Sequence, residues 1–177
     1  MKYKRLNELR EETQGQTRML YHLDYWDGPL SGIMLWIGKK VYFKKTDEYT
    51  IKTLLSEDEI QDFREYCKLN NCSFDEDYDI YEHEYNWIYT AYEIDDETLE
   101  AIEFNHALFS KYVGTHTDYD EIGYRGCGAR IPLRPEHPED LGDLKPQSEW
   151  DKFYKSTEIK KETLNLKEEN ILGYFER

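Results

Sequence analysis

The sequence predicts a single α+β domain, on three observations. Met19 to Lys44 reads as strand, turn, strand and hairpin, two later segments repeat apolar residues at helical spacing, and aromatic residues are abundant enough to fill a core. There are 16 Tyr, 7 Phe and 4 Trp in 177 residues, a content that disordered chains lack. A chain of this length buries roughly 70% of its unfolded surface, so no disulfide or metal is needed to hold it. The expected sheet is antiparallel or mixed, with two main helices, and residues 1–177 form one domain without repeat or linker.

The elements follow in order. Residues 20–23, Leu-Tyr-His-Leu, form a strand that runs into Asp27-Gly28-Pro29-Leu30-Ser31-Gly32, where Gly and Pro mark a turn. A hairpin comes next. Gly38-Lys39 suits a type II′ connection, which wants Gly first, and pairs Trp36 with Val41 and Met34 with Phe43 on one core-facing side. Ser56 with Glu59 three residues on is a capping box, and Ile60, Phe63 and Cys67 continue at helical spacing, which predicts a helix over 57–69. Tyr78 to Ile94 reads as a strand with Ile88, Thr90, Tyr92 and Ile94 on one side and Trp87, Tyr89 and Ala91 on the other. Apolar character on both sides predicts a central position. Asp95 or Asp96 caps a second helix carrying Leu99, Ile102, His106, Phe109 and Val113, with Gly114 at its stop. Four prolines between Arg130 and Gln147 predict an irregular surface loop over 130–147, and Ser148 caps a short helix with Trp150, Phe153 and Tyr154. Thr163–Lys167 and Ile171–Phe175 alternate as a terminal hairpin or as edge strands.

Charge is distributed unevenly. The formal net charge is −15, which argues against direct nucleic-acid or anionic-membrane binding, since both need a basic footprint. Between Glu57 and Glu103 there are 17 acidic residues and two basic ones, Arg64 and Lys68, whereas the rest of the chain balances. Within that third, Asp75, Glu76, Asp77, Tyr78, Asp79, Tyr81, Glu82, Glu84 and Tyr85, with Trp87 beyond them, combine carboxylates with aromatic anchors of the kind interfaces favour. They are the candidate contact residues for a basic protein partner. An EF-hand is excluded because Ile80 stands where the calcium loop needs glycine. Clustered carboxylates leave an irregular divalent-cation site open, and acidic residues at helix starts also serve solubility and the helix dipole.

A second, smaller candidate is Tyr124-Arg125-Gly126-Cys127-Gly128-Ala129-Arg130-Ile131-Pro132-Leu133-Arg134. It holds three of the eight arginines, and its glycines let backbone N–H groups approach an anion. Arg125, Arg130 and Arg134 are candidate anion ligands. With His106, His116 or Cys127 they would line the pocket of a small-molecule enzyme or ligand binder, the alternative to a binding protein. The phosphatase spacing Cys-x5-Arg fails by one residue, because Leu133 occupies the place of the arginine. Walker and GxGxxG motifs are absent, as are HExxH and GxSxG. His106, His116 and Asp118, with His22, Asp24 or His83, could converge as metal ligands or as an acid and base, but no spacing demands it. No cofactor is expected.

Three cysteines, Cys67, Cys72 and Cys127, with no close pair, fit a reducing compartment. No apolar run reaches the eighteen residues or so that a membrane span requires, and the first ten residues lack a signal-peptide pattern. These features predict a cytoplasmic protein.

The stretches 23–32, Leu-Asp-Tyr-Trp-Asp-Gly-Pro-Leu-Ser-Gly, and 113–119, Val-Gly-Thr-His-Thr-Asp-Tyr, resemble segments of small uncharacterised bacterial proteins, a resemblance that implies no activity and no site residues. In size, acidity and aromatic content the chain is similar to immunity proteins and other protein inhibitors. That likeness implies a non-catalytic partner-binding role, of bacterial or phage type.

Overall fold

A computed structural model describes residues 3–25, 29–70, 88–113, 145 and 147–177. In chain order the elements are β1 (Lys4–Arg5), α1 (Leu6–Glu12), β2 (Arg18–Tyr25), β3 (Pro29–Trp36), β4 (Lys39–Lys45), α2 (Glu48–Leu54), α3 (Glu57–Leu69), β5 (Ile88–Tyr92), α4 (Asp96–Tyr112), α5 (Gln147–Tyr154), a 3-10 turn (Glu168–Asn170) and β6 (Ile171–Glu176). The six strands form one mixed sheet in the order β1-β6-β5-β4-β3-β2. β1 runs parallel to β6 and every other pair is antiparallel. The fold is α+β, as the sequence predicts.

β5 is the central strand that its two-sided apolar pattern requires. Its first four residues are buried. On one side of the sheet Ile88 packs with Ile51, Leu54 and Leu55 of the α2 region, and with Phe63 and Cys67 of α3. Further along that side, Ile33 and Tyr42 pack with Ile102 of α4. The other side gathers Met19, Met34, Val41, Phe43, Tyr89, Ala91 and Phe175 under Leu6 and Leu9 of α1. Tyr89 and Phe175 stack with ring centroids 5.3 Å apart, and Phe43 meets both edge-on at 5.7 and 6.3 Å. Contacts of this kind contribute about 0.5–1.5 kcal/mol each beyond their buried area.

The hairpin forms one turn position earlier than predicted. Its central residues are Ile37 and Gly38, with φ of +52° and +81°, a pair of positive values that type I′ geometry requires. Trp36 pairs with Lys39, Met34 with Val41 and Gly32 with Phe43. The predicted pairings of Trp36 with Val41 and Met34 with Phe43 are therefore two residues out of register. Because side chains alternate with a period of two, Met34, Val41 and Phe43 still share one face with Trp36. Two contacts favour the observed register. The Gly38 N–H donates to the Gln16 carbonyl at 2.8 Å and the Ile37 N–H to Thr17 Oγ1 at 3.2 Å. Opposite Phe43 only a glycine fits, since a Cβ on Gly32 would lie 2.7 Å from the Phe43 ring. Residues 29–32 of the turn predicted over 27–32 belong instead to β3, which begins at Pro29, and Asp27 and Gly28 lie outside the described residues.

The starts of α3 and α4 follow their predicted caps, whereas α5 begins at Gln147 and takes the predicted cap Ser148 inside its first turn. Glu59 accepts from the Ser56 N–H at 2.8 Å while Ser56 Oγ accepts from the Glu59 N–H at 3.3 Å, the predicted capping box. Asp95 caps α4 by accepting from the Thr98 N–H at 2.7 Å, and Ile102, Phe109 and Val113 of its predicted stripe are buried. The hydrogen bond from Ser56 holds the Glu59 carboxyl below the usual carboxylate range, and that from Thr98 does the same for Asp95.

The C-terminal prediction needs correcting in both halves. Ile171–Glu176 is a strand, but an interior one, paired with β1 on one side and β5 on the other. Thr163–Lys167 has no regular secondary structure. Its alternation arises because Leu164 and Leu166 pack against the Ile33–Tyr42–Ile102 cluster, while its backbone is held by side chains. The 130–147 loop lies outside the described residues up to 144, and Gln147 already belongs to α5.

The turn assignment has a direct test. A β-branched residue in left-handed geometry is strained by roughly 1–2 kcal/mol, and Ile37 is 65% exposed, so little packing is lost on replacing it. Ile37→Asn should stabilise the protein by about 1 kcal/mol in urea unfolding, whereas a Gly38-Lys39 turn would give no gain.

Candidate functional site

The predicted contact residues Asp75, Glu76, Asp77, Tyr78, Asp79, Tyr81, Glu82, Glu84 and Tyr85 lie outside the described residues, and so do Arg125, Arg130, Arg134, His116, Asp118 and Cys127. What the structure places is the remainder of the acidic third, on α3, α4 and the Glu93–Asp95 segment before it, together with His106 and with His22, which is buried on β2.

On α3 the buried positions are Phe63 and Cys67. Asp58, Asp62, Glu65 and Leu69 recur at intervals of four, three and four and are all exposed. At about 100° per residue they form one stripe on the side facing away from the sheet. Leu69 is 86% and the adjacent Tyr66 49% exposed, so the stripe couples carboxylates to apolar surface. Several other acidic residues of this third have local structural work. Glu57 and Glu59, together with Asp58 of the stripe, lie in the first turn of α3, and Asp96 and Glu97 in that of α4, where the helix dipole favours them. Glu93 and Glu103 pair with Lys39 and Lys40 of β4. Asp62 and Glu65 lie past the first turn, where the dipole has faded.

His106 points from the α4 stripe to β2. Its ring stacks on Tyr21 with centroids 3.8 Å apart and planes 9° from parallel. A bulge between Met19 and Tyr21 makes this possible, because it turns consecutive Leu20 and Tyr21 to the same side; bulges commonly re-aim a side chain in this way. Burial pulls the His106 imidazole down to about 4, with Glu103 one turn back opposing it. Burial also pushes the Tyr21 hydroxyl well above its usual value, helped by the charges of Glu103 and Glu162. Tyr21 Oη is buried and has no hydrogen-bond partner among the described residues. The pair is therefore a neutral imidazole against a neutral phenol.

Beside it, Asn105 forms a polar contact that its sequence context did not signal. Its carboxamide grips both main-chain groups of Lys160, donating to the carbonyl at 2.8 Å and accepting from the N–H at 2.8 Å, and donates to Glu162 at 2.9 Å. Asn105 lies four residues before the buried Phe109 on the inward side of α4, a position that periodicity alone reads as core.

Among the described residues no group of three or more His, Cys, Asp or Glu is arranged to hold a metal ion, and no helix is long and apolar enough to cross a membrane. No protein-family model, curated protein or solved structure matches this chain.

The low His106 value sets a pH dependence. A base that is harder to protonate in the folded state than in the unfolded chain, where histidine titrates near 6.5, contributes stability above about pH 6.5 and loses it as pH falls toward 4. Glu59 and Asp95, whose carboxyls are depressed, lose theirs only at lower pH. Thermal midpoints should therefore decline between pH 6.5 and 4.5, and His106→Gln should flatten that limb of the profile relative to the parent.

Proposed function

We propose that this protein is a non-catalytic cytoplasmic binding protein of inhibitor type, which presents an acidic, tyrosine-bearing surface to a basic protein partner. The observation that supports the reading most directly is the outward stripe Asp58, Asp62, Glu65 and Leu69 of α3 with Tyr66 at its side. It combines like charge with exposed aromatic and aliphatic surface. In the sequence the same helix leads within a few residues to Asp75, Glu76, Asp77, Tyr78 and Asp79, so the charge extends in one continuous stretch of chain. A field of one sign raises the encounter rate with an opposite partner by roughly 10–1,000-fold and fades with added salt, while tyrosines near the centre supply burial.

The test is a double charge reversal, Asp62→Lys and Glu65→Lys. Both side chains are exposed, point away from the sheet and lie past the first turn of α3, so the thermal midpoint should shift little. Capture of the partner from the lysate of source cells at low and high salt, followed by association kinetics with the captured protein, provides the readout. The reading predicts association slowed at least about tenfold at low salt, with the difference shrinking at high salt. Capture and association rates equal to those of the parent at both salt concentrations would refute it.

A further inference from the structure

Residues 156–167 link α5 to the 3-10 turn before β6 and run across α4 in a way that sets them apart from the rest of the fold. From residue 159 to 167 they have no regular secondary structure. Residues 159–166 make no backbone–backbone hydrogen bond among the described residues. Among the described residues their attachments to α4 are few. Asn105 makes the three contacts described above, Thr98 Oγ1 donates to the Thr163 carbonyl at 3.2 Å, and the Lys160 ammonium lies 4.7 Å above the Phe104 ring. Only Leu164 and Leu166 reach the apolar cluster, both half-buried, and residues 157–163 are exposed throughout.

The grip is also generic. Asn105 holds the N–H and C=O of one residue, as a neighbouring strand would, and Thr98 holds a carbonyl. Three of these four hydrogen bonds therefore go to main chain, and any extended segment offers the same groups. Free energies of local opening are lowest where buried apolar contacts are few and backbone bonds are exposed, and each ordered residue loses conformational freedom that such contacts must offset. At its C-terminal end the segment meets β6, a doubly paired strand, so it is tethered on that side to the most secure part of the sheet.

We infer that residues 156–167 form a detachable strap, which lifts from α4 as a unit while the sheet stays folded and thereby bares the Asn105 carboxamide and the apolar edge around Tyr21. Tyr21 belongs to the cluster against which Leu164 and Leu166 pack. Glu162, the one strap side chain held by Asn105, is close enough to oppose ionisation of the Tyr21 hydroxyl. Lifting the strap removes both the leucines and that charge together. The open form leaves the Asn105 carboxamide without the main-chain groups of Lys160 that it holds in the closed form.

The Lys160 amide reports on the closed state, because its N–H is bonded to Asn105 Oδ1. Hydrogen exchange measured by NMR on the full chain should show this amide exchanging at least about 100-fold faster than the slowest amides of β5. Its rate should be insensitive to low urea, whereas those β5 rates rise. Leu164→Ala removes an anchor four residues away from the reporter without touching Asn105. If the strap opens as a unit, this change speeds Lys160 exchange by about tenfold and leaves β5 unchanged. An unchanged Lys160 rate would mean that the segment frays piecemeal, and equal acceleration in β5 would mean that it opens only with global unfolding; either result overturns the inference. Should the variant fold poorly, the urea dependence of the parent decides, since a Lys160 amide as urea-sensitive as β5 contradicts a separate strap.

Discussion

Phe175 is completely buried, stacked on Tyr89 and within reach of Phe43 and Trp36, and it sits on the last strand of the described chain. That strand lies inside the sheet. β6 supplies hydrogen bonds to β5 on one side and is the strand to which β1 pairs on the other. The long hairpin β2-β3-β4 reaches β5 through β4, and α1 follows directly from β1. The core on the α1 side is thus closed only when residues from both ends of the chain meet. Such a contact has a large loop-closure term, which makes the insertion of β6 the constraint on which the two packed sides jointly depend.

That constraint explains the route of the strap. To bring β6 into the sheet from α5, which packs Trp150 and Phe153 against Phe109 and Val113 at the far end of α4, the chain has to travel back along α4. It does so without regular secondary structure, and Thr98, Asn105 and Asn170 satisfy parts of its backbone in place of a neighbouring strand. A close approach marks the arrival. A Cβ on Gly173 would lie 2.7 Å from the Trp36 ring, so the indole of β3 reaches across β4 and β5 because Ala91 and Gly173 leave it room. The sheet side facing α1 is assembled around these small residues as much as around its large ones.

Much of this was legible in the residues themselves. Ser56 with Glu59, Asp95 with Thr98, and the spacing of Ile102, Phe109 and Val113 identify α3 and α4, and two-sided apolarity identifies β5 as interior. α2 went unread although Asp47 with Thr50 is a cap signal and Ile51, Leu54 and Leu55 follow at helical spacing. α1 shows only Leu6 and Leu9, one turn of pattern, which is too short to separate from coil. The hairpin register failed because glycine at the first turn position is a local preference, whereas the observed turn is selected by Gln16, Thr17 and the Gly32–Phe43 approach, all distant in sequence. The interior place of β6 could not be read either, since alternation in Ile171–Phe175 is equally consistent with an edge. Of the candidate site, the charge of helix 57–69 was legible, whereas the outward stripe of Asp58, Asp62, Glu65 and Leu69 was not read, because the denser carboxylates of Asp75 to Glu84 dominate the charge pattern. The Tyr21–His106 stack was not, because it depends on a bulge in β2 that no residue pattern announces.

The acidic stripe lies on the outward side of α3, opposite Phe63 and Cys67, and the strap lies across α4, so neither takes part in closing the sheet; this division between a closed framework and outer features is the central claim. Thermal unfolding of a chain ending at Asn170, which lacks β6, tests it most directly. The account predicts loss of the cooperative transition, because β1 and β5 each lose a partner strand and Tyr89 and Phe43 lose Phe175. A cooperative transition with an unchanged midpoint would contradict it.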